Sequence, residues 1–120
     1  MAKTILVIDD EADVRIYLTR LLHKHGYQTV TAEDGFQGIE AAREHRPDLV
    51  ILDLMMPRKS GTDFYRKLSS DKELAETPVI VVSGLAGRHL AVKKPEAVFD
   101  KPIVPREFLA AVRKALGEDE

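Results

Sequence analysis

The four residues Leu49-Val50-Ile51-Leu52 run without a polar interruption straight into a lone carboxylate, Asp53. An unbroken apolar run of that length reads as a strand buried on both faces, the kind found in the middle of a parallel sheet. Pro57 follows soon afterwards and stops the ladder from extending. The pattern recurs twice. Thr4-Ile5-Leu6-Val7-Ile8 ends in the pair Asp9-Asp10, and Pro78-Val79-Ile80-Val81-Val82 ends in Ser83-Gly84. Strands that are apolar on both faces need a cover on each side, and helices supply it.

Between these runs the apolar spacing switches from strand to helix. From Glu11 to His25 the residues Val14, Leu18, Leu21 and Leu22 make one stripe, with Asp10, Glu11 and Asp13 crowding the first turn and Gly26 as a stop. Gln28 to Thr31 is a short, more polar strand and so belongs near an edge of the sheet. Asp34 can cap a helix over Gly35 to His45, which Arg46-Pro47 terminates. Ser60-Gly61-Thr62-Asp63 resembles a capping box for a helix to about Ser70, with Phe64 and Leu68 inward. Leu85 to Pro95 has apolar spacing for only a turn or two of helix. Ala97-Val98-Phe99 is a brief strand leading to Asp100-Lys101-Pro102. Pro105 then opens a last helix striped by Phe108, Leu109, Val112 and Leu116. The order is β-α repeated five times. It predicts a flavodoxin-like (βα)5 α/β fold, a doubly wound five-stranded parallel sheet of order 2-1-3-4-5 with a shortened fourth helix.

Length and charge exclude several classes. A chain of 120 residues has room for one domain and one sizeable core, so residues 1–120 are read as a single unit. A net charge of −2 gives no general electrostatic pull towards nucleic acid or an anionic membrane. Without cysteine there is no disulfide framework, thiolate nucleophile or cysteine-based metal site, which fits a reducing cytoplasm. The apolar runs are far shorter than a transmembrane span.

The chemistry gathers at the carboxyl ends of the strands, which point to one edge in a parallel sheet. There stand Asp9 and Asp10, Asp53, Ser83 and Lys101. Two unit charges about 4 Å apart repel by roughly 4 kcal/mol at an effective dielectric of ~20, so such carboxylates must take up a proton or bind a cation. Ligands that are all oxygen suit Mg2+ or Mn2+ and not Zn2+. The four histidines, His23, His25, His45 and His89, have no spacing that makes them ligands and are read as surface residues. A divalent cation, a lysine and a hydroxyl around one carboxylate make a place for a phosphoryl group, with Asp53 as covalent acceptor.

Val7-Ile8-Asp9-Asp10-Glu11, Leu52-Asp53-Leu54-Met55-Met56-Pro57 with Gly61, Ser83-Gly84 and Lys101-Pro102 together resemble the receiver domain of two-component response regulators. The resemblance spans essentially the whole chain. It implies that Asp53 takes a phosphoryl group from a phosphohistidine of a sensor kinase or phosphotransfer protein. It further implies Mg2+ held by Asp10, Asp53 and the Met55 backbone carbonyl, with Asp9 acting through water. Ser83 and Lys101 would contact the phosphoryl group, and the Lys101–Pro102 peptide would be cis. Kinase-side docking is expected on Val14, Tyr17 and Ile103. A downstream partner or output domain, or a homodimer formed on phosphorylation, would read the response, with no direct nucleic-acid or membrane contact. Two departures stand out. The chain has a few residues fewer between Ser83 and Lys101 than the family pattern. Val98 occupies the position where an aromatic residue often reports phosphorylation, and Phe99 follows it on the other face of the strand. Ser83, Val98 and Phe99 are therefore the expected switch and output positions.

Three other functions fit the residues less well. Aspartyl-phosphate phosphohydrolases resemble a pattern with a second Asp two residues after the nucleophile, where this chain has Met55, and there is no cap domain for a substrate. The expectation is therefore a protein that catalyses only its own phosphorylation and dephosphorylation, not an enzyme acting on a separate substrate. A phosphorylation-independent interaction module on the same fold would usually lack Asp10, Asp53 or Lys101, and all three are present. Flavin binding is weaker still, because the Asp9-Asp10 loop would repel a flavin phosphate.

Overall fold

The computed structural model describes residues 2–53, 60–83, 97–100 and 103–118. Five strands, β1 (Thr4–Ile8), β2 (Gln28–Ala32), β3 (Leu49–Leu52), β4 (Val79–Ser83) and β5 (Ala97–Asp100), form one parallel sheet of order β2-β1-β3-β4-β5. The four helices among the described residues are α1 (Ala12–Lys24), α2 (Gly35–His45), α3 (Ser60–Ser70) and α4 (Pro105–Ala115). The expected strand order is the observed one, and the three most apolar strands occupy its centre. The expected short helix between β4 and β5 lies outside the described residues.

Two apolar clusters explain why the central strands are apolar on both faces between their ends. Leu6 and Ile8 of β1, Val50 and Leu52 of β3, and Val81 of β4 meet Ile39 and Ala42 of α2 and Phe64 and Leu68 of α3. Their alternates, Ile5, Val7, Leu49, Ile51, Ile80 and Val82, meet Leu18 and Leu22 of α1 and Phe108, Leu109 and Val112 of α4. Successive side chains of a strand point to opposite faces, so each apolar run feeds both cores. All four β3 residues are fully buried.

Local chemistry sets the helix ends. The Asp34 side chain accepts a hydrogen bond from the Gln37 amide at 2.9 Å, as the sequence leads one to expect, and Gln37 Oε1 accepts from the Glu33 amide at 3.0 Å. Gly26 closes α1 with φ 90°, a conformation that suits glycine. Pro105 is in the first turn of α4, where its missing N–H costs nothing. The expected capping box at Ser60 needs correction: Ser60 already lies inside α3, whereas a capping residue stands just before the helix. Gly38 lets α2 approach closely, since a Cβ there would stand 2.7 Å from Ile8 Cδ1 and 3.0 Å from the Phe64 ring.

Leu52 joins this core directly to the acidic edge. Truncation to alanine is expected to cost about 2–5 kcal/mol of stability, the range for deleting a fully buried leucine side chain. Urea unfolding of Leu52→Ala measures it, and a loss under about 1 kcal/mol would show that β3 is not the packed centre of the sheet.

Candidate functional site

The order of the strands reverses between β1 and β3, and in open α/β sheets such a switch point is where ligands bind, beyond the carboxyl ends. Asp9 follows β1 and Asp53 follows β3. The ladder continues one step past both strands: the Asp53 amide donates to the Ile8 carbonyl at 3.0 Å, and the Asp9 amide donates to the Ala32 carbonyl at 3.2 Å. Because Ile8 pairs with Leu52 in the register, the two acids come out side by side. Both are buried, at 1% and 2% exposure, while Asp10 is exposed. Carboxylate oxygens of Asp9, Asp10 and Asp53 all lie within 4.8 Å of one another.

The loop after β1 is held by further hydrogen bonds. Asp9 Oδ1 accepts from the Glu11 amide at 2.9 Å, a turn in which an aspartate side chain binds the backbone two residues on. The Asp9 carbonyl accepts from Arg15 Nη1 at 2.6 Å. Helix α1 therefore starts with Glu11 as its cap residue, whose own side chain makes no capping bond. Of the acids expected in its first turn, Asp13 is inside the helix, whereas Asp10 belongs to the preceding loop.

At this spacing each pair of negative charges repels by roughly 3 kcal/mol at an effective dielectric of ~20. The donors are oxygens only, and no histidine joins the cluster among the described residues. His23, His25 and His45 are exposed, and His23 Nε2 is hydrogen-bonded to Thr29 Oγ1 at 2.7 Å. Such a set can bind a hard metal ion, which would offset the repulsion.

The remaining expected residues fall into two groups. Ser83 ends β4, in register with Asp100 of β5, so its backbone stands at the same sheet edge. Met55 and Lys101, with the Lys101–Pro102 peptide, lie outside the described residues. The Val98 backbone is paired with Val81. Phe99 is half-buried and meets Phe108 edge-on, with ring centroids 5.9 Å apart. Val14 and Ile103 also pack against the cluster shared by α1 and α4, whereas Tyr17 is exposed. Sequence reasoning does not single out Arg15 or Gly38. Neither forms part of a periodic pattern, because the work of each depends on a neighbour from another part of the chain.

Known proteins agree with this geometry. The response regulator receiver domain family matches residues 5–113. The chain belongs to that family. It is 32% identical to the polar-differentiation response regulator DivK of Brucella anthropi, over 98% of this chain and 99% of that protein. It is 34% identical to protein Rrf1 of Nitratidesulfovibrio vulgaris, over 98% of this chain and 85% of the relative. Among solved structures, a response regulator receiver domain protein from Clostridium thermocellum superposes with a TM-score of 0.85 at 28% identity, covering 98% of this chain and 95% of that one. The receiver domain thus has its fold, its acidic edge and its family in agreement, as part of a phosphorylation-controlled switch of two-component signalling.

Repulsion within the cluster predicts that removing one charge stabilises the cation-free receiver domain. Asp10→Asn, at the exposed member, is expected to raise stability by ~1 kcal/mol, discounted for solvent screening. Thermal unfolding in chelator checks this. A lower midpoint than the parent protein would show that the three carboxylates are already compensated from within the chain.

Proposed function

We propose that Asp53 of this receiver domain accepts a phosphoryl group from a phosphohistidine of a sensor kinase or phosphotransfer protein, and that the change alters what its surface binds. The observation that carries this reading is the buried Asp53 carboxylate, set by the sheet ladder beside Asp9 and Asp10. An Asp53 oxygen attacks phosphorus, the phosphorus–nitrogen bond of the donor breaks, and an acyl phosphate forms while the leaving imidazole takes a proton.

The residues that would hold Mg2+, or Mn2+ in its place, are Asp10, Asp53 and the Met55 carbonyl, with Asp9 acting through water. The bound cation supplies positive charge beside the phosphoryl oxygens, where charge is spread in the transition state. Lys101 is assigned a second positive contact there and Ser83 a hydrogen bond to the transferred group. That hydrogen bond, present only when Asp53 is phosphorylated, is a differential contact able to bias two conformations. The domain acts on no separate substrate in this reading, because Met55 stands where a phosphohydrolase would place its second acid.

The donor is assigned to the α1 side, where Tyr17 offers an exposed ring beside Ile16, in a shallow groove of about 330 Å3 lined also by Asp13, Arg20, Leu21 and Lys24. Val14 and Ile103, partly buried against the core cluster of α1 and α4, are assigned to the same docking side. No helix among the described residues is long and apolar enough to cross a membrane, and we assign the domain to the cytoplasm, where the phosphodonors are.

Intact mass after incubation with Mg2+ and acetyl phosphate is the test. The parent protein is expected to gain one phosphoryl group and Asp53→Asn none. Equal gain by the variant removes Asp53 from the mechanism. Met55 and Leu85, flanking the acceptor in the family pattern, have no group to position an attacking water, so the label is expected to persist well beyond seconds in purified Mg2+-containing protein.

A further inference from the structure

Arg15 stands one turn into α1, where a cation opposes the positive end of the helix dipole. Its side chain is nonetheless only 16% exposed. Helix side chains lean towards the amino terminus, so a long one at this position reaches back beneath the loop that precedes the helix. Arg15 does so, donating from Nη1 to the Asp9 carbonyl at 2.6 Å. Its other terminal nitrogen approaches Glu33, on the loop after β2, at 4.0 Å.

We propose that Arg15 is a positioning residue for the acidic cluster, holding the Asp9–Asp10 peptide plane so that the Asp10 carboxylate is presented beside Asp9 and Asp53 for a divalent cation. The carbonyl oxygen of Asp9 and the amide nitrogen of Asp10 share one planar unit, so fixing that oxygen fixes the direction in which Asp10 leaves it. The Asp9 carboxylate is restrained separately through the Glu11 amide, and Asp53 through the Ile8 carbonyl. Arg15 thus holds the part of the cluster that those two bonds leave to the loop. The Glu33 contact is long and Glu33 is 63% exposed, so that pair contributes little.

The inference rests on the cation-binding part of the proposed function, and its sign separates it from simple electrostatics. Removing a positive charge close to three carboxylates should tighten cation binding. Removing a residue that orients the ligands should weaken it, by roughly 10- to 100-fold for an outer partner of a metal site.

Mg2+ titration calorimetry on the full chain is the test, with parent protein, Arg15→Gln, Arg15→Lys and Glu33→Gln compared well below their thermal midpoints. Arg15→Gln is expected to bind Mg2+ at least about tenfold more weakly, and Glu33→Gln within about twofold of the parent. Arg15→Lys, which keeps the charge but loses the planar fork, is expected to fall between the parent and Arg15→Gln. It carries the comparison if Arg15→Gln does not fold. Unchanged or tighter binding by the Arg15 variants overturns the positioning role and leaves Asp53 as acceptor standing. No Mg2+ binding by the parent protein overturns this role and the cation reading together.

Discussion

The site depends on one continuation of the sheet. The hydrogen bond from the Asp53 amide to the Ile8 carbonyl, and that from the Asp9 amide to the Ala32 carbonyl, extend the parallel ladder one step past its apolar residues. Three neighbouring strands thereby determine where two carboxylates emerge. Backbone geometry thus sets two buried carboxylates side by side, with the Asp10 carboxylate close to both. The sheet thus gathers like charges at its edge, a set that a bound cation can offset.

Much of this was legible in the order of residues, and the reason is periodicity. Leu49 to Leu52 can satisfy two apolar layers only as a central strand, and the same holds for the strands ending at Ile8 and Ser83. Once three such strands are parallel, their polar terminators must share an edge, so Asp9, Asp10 and Asp53 follow from the fold without being neighbours in sequence. Asp34 was legible for a local reason, since a helix cap involves residues only three apart. Ser60 misled for the same local reason: a capping pattern does not say whether the helix starts one residue earlier.

Arg15 and Gly38 were not legible because each acts across elements. Arg15 looks like any solvated helix cation until its reach to the Asp9 carbonyl is known. Gly38 looks like a weakness in a helix until Ile8 and Phe64 are found against it. That close approach ties α2 to the last residue of β1, immediately before the acidic pair. Phe99 gives a further case: its pairing with Phe108 joins β5 to α4 on the face away from α2 and α3, through a contact between residues of the closing part of the chain.

The shared ladder also has a consequence for motion. The Asp53 amide cannot release the Ile8 carbonyl without separating β1 from β3, the pair at the heart of both cores. Amide exchange at Asp53 should then be as slow as that of the sheet interior, because local opening would require the cooperative unit itself to open. Asp53 is in this sense a rigid fixture of the molecule.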